Sequence, residues 1–297
     1  MKIGIGLPGD EPDLLLDWAR QVEAGPFSTL GLLDRFIWRN PEPLVMLAAV
    51  AATTRRVRIQ TEVLIGPLRD TALLAKQVAT LDRLAHGRFT LGMGVGSRTD
   101  DFAAAGMPLK GRGRRLDDQL IALRQLWAGE RTPCGLGPVG PAPVSPGGPE
   151  ILFGAFAPAA LARVARFGHG LLCAAPPPWA GDLFRAVDKE WSQAGRADRP
   201  RNVGQLNVAF GSDETVATAK AAISECYAIV GASHWMVEGM LTTEDQIRTA
   251  LRGFEELGAD EVILYCWSPE VGQVARLAEL VDRYTADNPG HHQHTNS

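Results

Sequence analysis

The sequence predicts an α/β fold, a single (β/α)8 TIM barrel, and three observations carry that prediction. Apolar runs rich in β-branched residues alternate with segments of helical period along all 297 residues, giving eight strand–helix units. The closely spaced glycines Gly92, Gly94 and Gly96 follow the fourth strand. A doubly wound nucleotide-binding sheet would place them after its first strand, with an acidic residue about 20 positions further on. The run Ser28-Thr29-Leu30-Gly31-Leu32-Leu33 is nearly all apolar or small, as a strand covered on both faces must be.

Taken in order, the predicted strands are 2–7, 27–33, 57–65, 88–95, 150–154, 169–174, 202–211 and 260–267. The predicted helices are 10–24, 42–53, 70–85, 113–128, 157–167, 179–194, 213–229 paired with 243–257, and 270–284. The chain opens at once on a strand. The second helix is Ala-rich around Ala48 to Ala52, which allows close packing. The fourth strand ends abruptly in glycines, where backbone can approach a ligand closely. Two insertions stand out. Residues 129–149, after the fourth helix, are rich in Pro and Gly and read as an excursion from the barrel. Residues 229–243, inside the seventh unit, carry His234, Trp235 and Met236 and read as a binding loop.

Lys and Arg number 30 against 34 Asp and Glu, a net charge of −4, so no basic face for nucleic acid is indicated. A hydrophobic content of 45% suffices for one large core, and residues 1–286 read as one domain. The tail 287–297 reads as disordered and polar, and its His291, His292 and His294 lack partners for a metal. Cys134, Cys173, Cys226 and Cys266 form no CxxC pair, so free thiols in a reducing cytoplasm are expected. No signal peptide or membrane-spanning run is read, and a cytoplasmic location is expected.

Functional residues of a βα barrel sit at the C-terminal ends of its strands. Here those ends hold Gly6, Leu7, Asp34, Arg35, Trp38, Glu62, Val63, Gly94, Gly96, Ser97, Arg98, Ala155, Phe156, Ala157 and Trp267, among others. They include no HExxH, no Ser/His/Asp set and no metal-ligand cluster. Asp34 and Glu62 could form a carboxylate pair, although Arg35 follows Asp34 as an ion-pair partner. A mouth of glycines and aromatics with few acids or bases suits a cofactor that carries the hard chemistry itself. The 150–161 segment runs from strand through a small-residue turn to a helix with Pro158 in its first turn. Free N–H groups there could bind a phosphate, or the turn is an ordinary connection.

Together these residues resemble the bacterial luciferase-like superfamily of flavin-dependent oxidoreductases over nearly the whole chain. The resemblance rests on Asp34-Arg35, Pro43-Leu44 with 48–58, and Val63-Leu64-Ile65-Gly66-Pro67-Leu68-Arg69. It is densest in Gly87-Arg88-Phe89-Thr90-Leu91-Gly92-Met93-Gly94-Val95-Gly96, with Asp100-Asp101-Phe102, 114–120 and 158–168 following.

The resemblance implies a luciferase-like barrel with FMN or the deazaflavin F420 across its mouth. It implies a non-prolyl cis peptide at the end of the third strand, which falls at Glu62–Val63. It implies phosphate binding by Gly96, Ser97, Arg98, Ala155, Phe156 and Ala157, with Gly6, Leu7 and Gly94 completing the cofactor set. Where some members carry a His after the second strand, this chain has Asp34-Arg35-Phe36. The catalytic candidates are therefore Asp34, Arg35, Glu62 and His234, of which Arg35 cannot serve as a base at neutral pH. Trp38, Trp235 and Trp267 are candidate substrate-pocket walls or plain packing. His169, where many relatives have Asp, reads as structural.

The leading expectation is a monooxygenase that uses reduced FMN, from a separate flavin reductase, and O2 on a small organic substrate. The alternative is an F420-dependent hydride-transfer enzyme. For the latter, Lys110, Arg112, Arg114 and Arg115 would meet the anionic tail of F420, or they form a solvated helix start. A flavin-binding protein without catalysis is a third reading. The resemblance also implies a homodimer through the second and third helices.

Overall fold

The computed structural model of the protein describes residues 1–7, 11–132 and 134–288. Pro8 and Gly9, the expected helix start at residue 10, Pro133 of the first insertion and the tail histidines lie outside these residues. The strands are β1 (Lys2–Leu7), β2 (Thr29–Leu32), β3 (Arg58–Thr61), β4 (Leu64–Ile65), β5 (Phe89–Gly94), β6 (Glu150–Gly154), β7 (Gly170–Cys173), β8 (Arg201–Val208) and β9 (Glu261–Cys266). All pairings are parallel, in the order β3-β2-β1-β9-β8-β7-β6-β5-β4. Both β3 and β4 also pair with β5, through Ile59 opposite Phe89 and Leu64 opposite Met93. They are two halves of one barrel strand, so eight strands close the ring.

Around it lie α1 (Pro12–Ala24), α2 (Pro43–Thr53), α3 (Thr71–Leu84), α4 (Thr99–Ala104), α5 (Arg112–Trp127), α6 (Pro158–Phe167), α7 (Pro177–Gln193), α8 (Asp213–Tyr227), α9 (Ser233–Glu238), α10 (Glu244–Glu256) and α11 (Gln273–Asp287). Side chains fix several starts: Glu42 accepts from Val45 N at 2.8 Å, and Thr243 and Gln246 form a capping box. The longer helices bury one stripe, as α1 does with Leu15, Trp18, Ala19 and Val22. The short α4 and α9 stand in segments expected to be loops. Cys173, Cys226 and Cys266 are buried free thiols, as expected, whereas Cys134 is free but exposed.

Alternation along the strands layers the barrel interior. The floor is a charged ring: Glu150 takes Arg58 and Arg201, and Arg201 also takes Glu261. Above it Leu152, Leu172, Val203 and Ile263 form an apolar plug with Val63 against it. Space for these side chains comes from glycines: a Cβ on Gly4 would lie 2.5 Å from Ile263, and one on Gly6 would lie 2.1 Å from the Tyr265 ring.

The insertion 129–149 packs along α3 towards the barrel floor. Asp82 accepts from Val144 N and Ser145 N, and Lys76 donates to the Gly140 carbonyl. It is thus held on the outer helix layer, beside α3.

Candidate functional site

A cavity of about 380 Å³ opens at the C-terminal ends of the strands. The break between β3 and β4 is a cis peptide at Glu62–Val63, at the position the family resemblance implied. Both residues line the cavity. Glycines of the next strands make room for Val63: a Cβ on Gly94 would lie 2.7 Å from its side chain, and one on Gly154 would lie 3.2 Å away. The glycine run of β5 is thus explained by the bulk it faces, and Val63 becomes an apolar ledge in the cavity.

Glu62 is 6% exposed. Its Oε1 accepts from Gln60 Nε2 at 3.0 Å, and its Oε2 has no hydrogen-bond partner. The carboxyl needs Gly31 beside it, where a Cβ would sit 2.0 Å from Oε1. Burial pushes its pKa up to about 8, with the Glu261 charge adding to the shift against the Gln60 hydrogen bond. At neutral pH Glu62 is a protonated acid that can donate.

Ser97, Ala155, Phe156 and Ala157 line the same cavity as Gly96, at the start of α6. Ala157 supplies no side-chain cap and Pro158 opens the helix, so the helix terminus is left to a ligand or to water. Gly96 has φ of +71°, a conformation glycine adopts freely.

Arg98 corrects an expectation. It does not line the cavity: its guanidinium is held by Asp100 and by the Cys226 carbonyl, with Nε 3.0 Å from Asp100 Oδ1. Arg112 lines the cavity instead, its Nε donating to the Gly96 carbonyl at 2.9 Å. The sequence had offered Arg112 only as one of several rim residues.

Asp34 is also placed elsewhere. It forms a two-pronged ion pair with Arg69, at 2.7 and 3.1 Å, and accepts from Ile65 N at 2.7 Å. Its partner is not the adjacent Arg35, and it does not reach Glu62's cavity. Arg35 does line the cavity and lies 5.0 Å from the centre of the Tyr227 ring. His234 is largely exposed on α9, with Nε2 3.2 Å from Glu238, and lines neither cavity described here. Gly6 and Leu7 stay behind Tyr265, whose hydroxyl donates to the Leu7 carbonyl at 3.3 Å.

Trp267 lines the cavity, together with Tyr227 and Tyr265 at ring distances of 6.2 and 5.5 Å from it. Burial raises the pKa of both phenols, which remain neutral. Trp38 packs at the flank of this aromatic group under Arg39 and does not line the cavity. Trp235 lines a second, larger cavity of about 680 Å³ that shares Ala174 and Gln205 with the first. His169 is structural, its Nδ1 accepting from Ile151 N at 2.9 Å.

Sequence reasoning missed Tyr227, Tyr265, Gln205 and the importance of Arg112. Gln205 and Tyr265 had a signal: each occupies an inward position of an alternating strand. Tyr227, at a helix end, had none.

A closed parallel barrel with this glycine-cleared mouth is the frame on which the comparisons fall. The luciferase-like monooxygenase family model matches residues 2–271, and the chain belongs to that family, a family of oxidoreductases. An uncharacterised protein of Mycobacterium tuberculosis is 32% identical over 177 residues, 57% of this chain and 62% of that protein. An F420-dependent glucose-6-phosphate dehydrogenase of Kineococcus radiotolerans is 35% identical over 142 residues, 44% of this chain and 42% of that protein. The aligned stretch thus spans less than two thirds of these relatives. The fold matches the crystal structure of the monooxygenase RslO1 from Streptomyces bottropensis with a TM-score of 0.78 at 23% identity, covering 97% of this chain and 99% of that one. It matches an F420-dependent secondary alcohol dehydrogenase with a TM-score of 0.78 at 16% identity, covering 95% and 98%.

Proposed function

We propose that the protein is an oxidoreductase that binds F420 at the barrel mouth and serves hydride transfer to or from a small organic molecule. The observation that carries this reading is the pairing, in one cavity, of a cationic phosphate end with a protonated acid. Arg112, Ser97 and the uncapped start of α6 make the first, and Glu62 makes the second. The residues present fit such a group. Val63 offers a flat apolar ledge, Glu62 Oε2 has no partner within the protein, and Arg112 supplies charge for a phosphate. The exposed Lys110 and Arg114 flank Arg112 in sequence and favour a cofactor whose anionic tail continues past the phosphate. The identity to an F420-dependent dehydrogenase supports the same choice.

The chemistry such a cofactor supplies when bound is reversible hydride transfer. The chain's own residues do the rest. Arg112 and the α6 terminus hold the phosphate. Tyr227, Tyr265 and Trp267 wall the cavity with neutral surface. Glu62 holds a proton at Oε2, and Gln205 orients the reacting molecule where the two cavities meet.

A second reading keeps FMN, O2 and a separate flavin reductase. The apolar lining of the larger cavity favours it, because oxygenation needs a site that excludes water. In either case two copies of the chain pair through α2 and α3.

Anaerobic titration of the purified protein with F420 and with reduced FMN, followed by fluorescence, decides between them. F420 is expected to bind more tightly by about tenfold. Arg112→Ala is expected to weaken F420 by roughly 10- to 100-fold, from loss of a charge-assisted contact worth about 1.5–3 kcal/mol. The phosphate-free deazaflavin with its ribityl chain should be unaffected by that change. Tight FMN binding with no F420 binding would select the second reading, and binding of neither would remove both.

A further inference from the structure

We propose that the larger cavity beside α9 binds a neutral, mostly apolar organic molecule bearing one hydroxyl or carbonyl group, and that it rejects phosphorylated sugars. Its role as the substrate chamber rests on the function proposed above; its ligand class rests on its own lining.

The cavity, about 680 Å³, is large enough for a bicyclic or aromatic molecule. Pro176, Trp179, Trp235, Met236 and Leu241 give it apolar walls, and among the described residues no Lys, Arg or His lines it. Among the described residues its one charged group is Glu238, whose side chain is largely exposed and paired with His234 at 3.2 Å. A phosphate brought inside would lose its hydration, meet no cation and face a carboxylate. Glucose 6-phosphate, named for the Kineococcus relative, is therefore a poor match.

Polar groups gather at the end shared with the first cavity. Gln205 lines both, and among the described residues its amide has no hydrogen-bond partner. Asn207 spends its oxygen on Trp267 Nε1 at 2.8 Å, while its nitrogen meets only the Met236 sulfur at 3.9 Å. Two amide donors thus point the ligand's single polar group to the junction and leave its apolar body beside α9. An unpaired amide at this half-buried junction discriminates for a ligand that satisfies it.

The test uses the full chain without cofactor and the neutral fluorescent probe N-phenyl-1-naphthylamine. The probe is expected to bind one per chain with enhanced emission, and camphor, a neutral bicyclic ketone, is expected to displace it while glucose 6-phosphate does not. Met236→Glu, which puts a charge in the apolar wall, and Ala232→Trp, which fills space beside α9, should each raise the probe's Kd by at least about tenfold. F420 and FMN titrations of the same variants should match the parent within about twofold. Displacement by glucose 6-phosphate, absence of probe binding to the parent, or unchanged Kd in both variants would overturn the proposal. Retained probe binding in a protein that takes neither F420 nor FMN would remove the cofactor reading and uphold the ligand class of this cavity.

Discussion

A carboxyl group buried with one unpartnered oxygen stays protonated at neutral pH unless a cation reaches it, and among the described residues none pairs with Glu62. Burial pushes its pKa from the ordinary 4.5 up to about 8. Below pH 4.5 the group is protonated in both states and imposes no penalty. As pH rises towards 8 the unfolded chain releases the proton first, so stability is lost across that window. By pH 7 the loss is about 3 kcal/mol. Glu62→Gln keeps the shape and removes the titration, so its urea-unfolding free energy should lack that decline between pH 5 and 8, while turnover falls because an amide cannot release the proton. Parallel pH profiles for the two proteins would refute a protonated Glu62. The sequence pointed to Glu62 through its strand end, but not to its protonation. That depends on Gly31 leaving room for the carboxyl to be buried and on the Glu261 charge, against the Gln60 hydrogen bond, contacts that no strand pattern encodes.

At the scale of the element, Asp34, just past β2, ties the end of that strand to β4. One oxygen serves both Ile65 N in β4 and Arg69 beyond it. Asp34→Ala would strand the largely buried Arg69, which retains Glu42, and would leave Ile65 N unpaired. The expected cost is about 3 kcal/mol in chemical denaturation; a change below about 0.5 kcal/mol would show that the tie carries no load. Asp34 looked catalytic in the sequence because a carboxylate at a strand end has the same signature whether it faces a ligand or an arginine 35 positions away. The eight βα units were legible because burial on both faces forces apolar strands and helical stripes. The short α4 and α9 were not, since six residues hold too few turns for a period to show. Arg98 and Arg112 show the same limit: both flank the glycine loop, and it takes Asp100, Asp101 and the distant Cys226 carbonyl to hold Arg98 away from the cavity.

For the whole molecule, the barrel separates its tasks by height: a charged floor, an apolar plug, and a glycine-cleared mouth that opens towards α9. The outer surface carries a further feature that this order does not use. Val45 on α2 and Leu73 on α3 are 69% and 55% exposed, and Phe36 beside them is 54% exposed. They border one groove whose rim holds Glu42, Arg69 and Gln77. Exposed apolar side chains interspersed with polar ones along a groove have the make-up of a protein interface. A two-fold pairing would bring the same patch of each copy together, so one apolar face suffices for both partners. The homodimer is thus proposed on this surface as well as on the family resemblance. The parent should elute near 64 kDa in gel filtration, twice the 31.9 kDa of the chain. Val45→Asp combined with Leu73→Asp places like charges at the centre of the contact, where their desolvation has no compensating partner, and should elute near 32 kDa with its fold intact by circular dichroism. A parent that already elutes near 32 kDa, or a variant that stays near 64 kDa, would remove α2 and α3 as the dimer face.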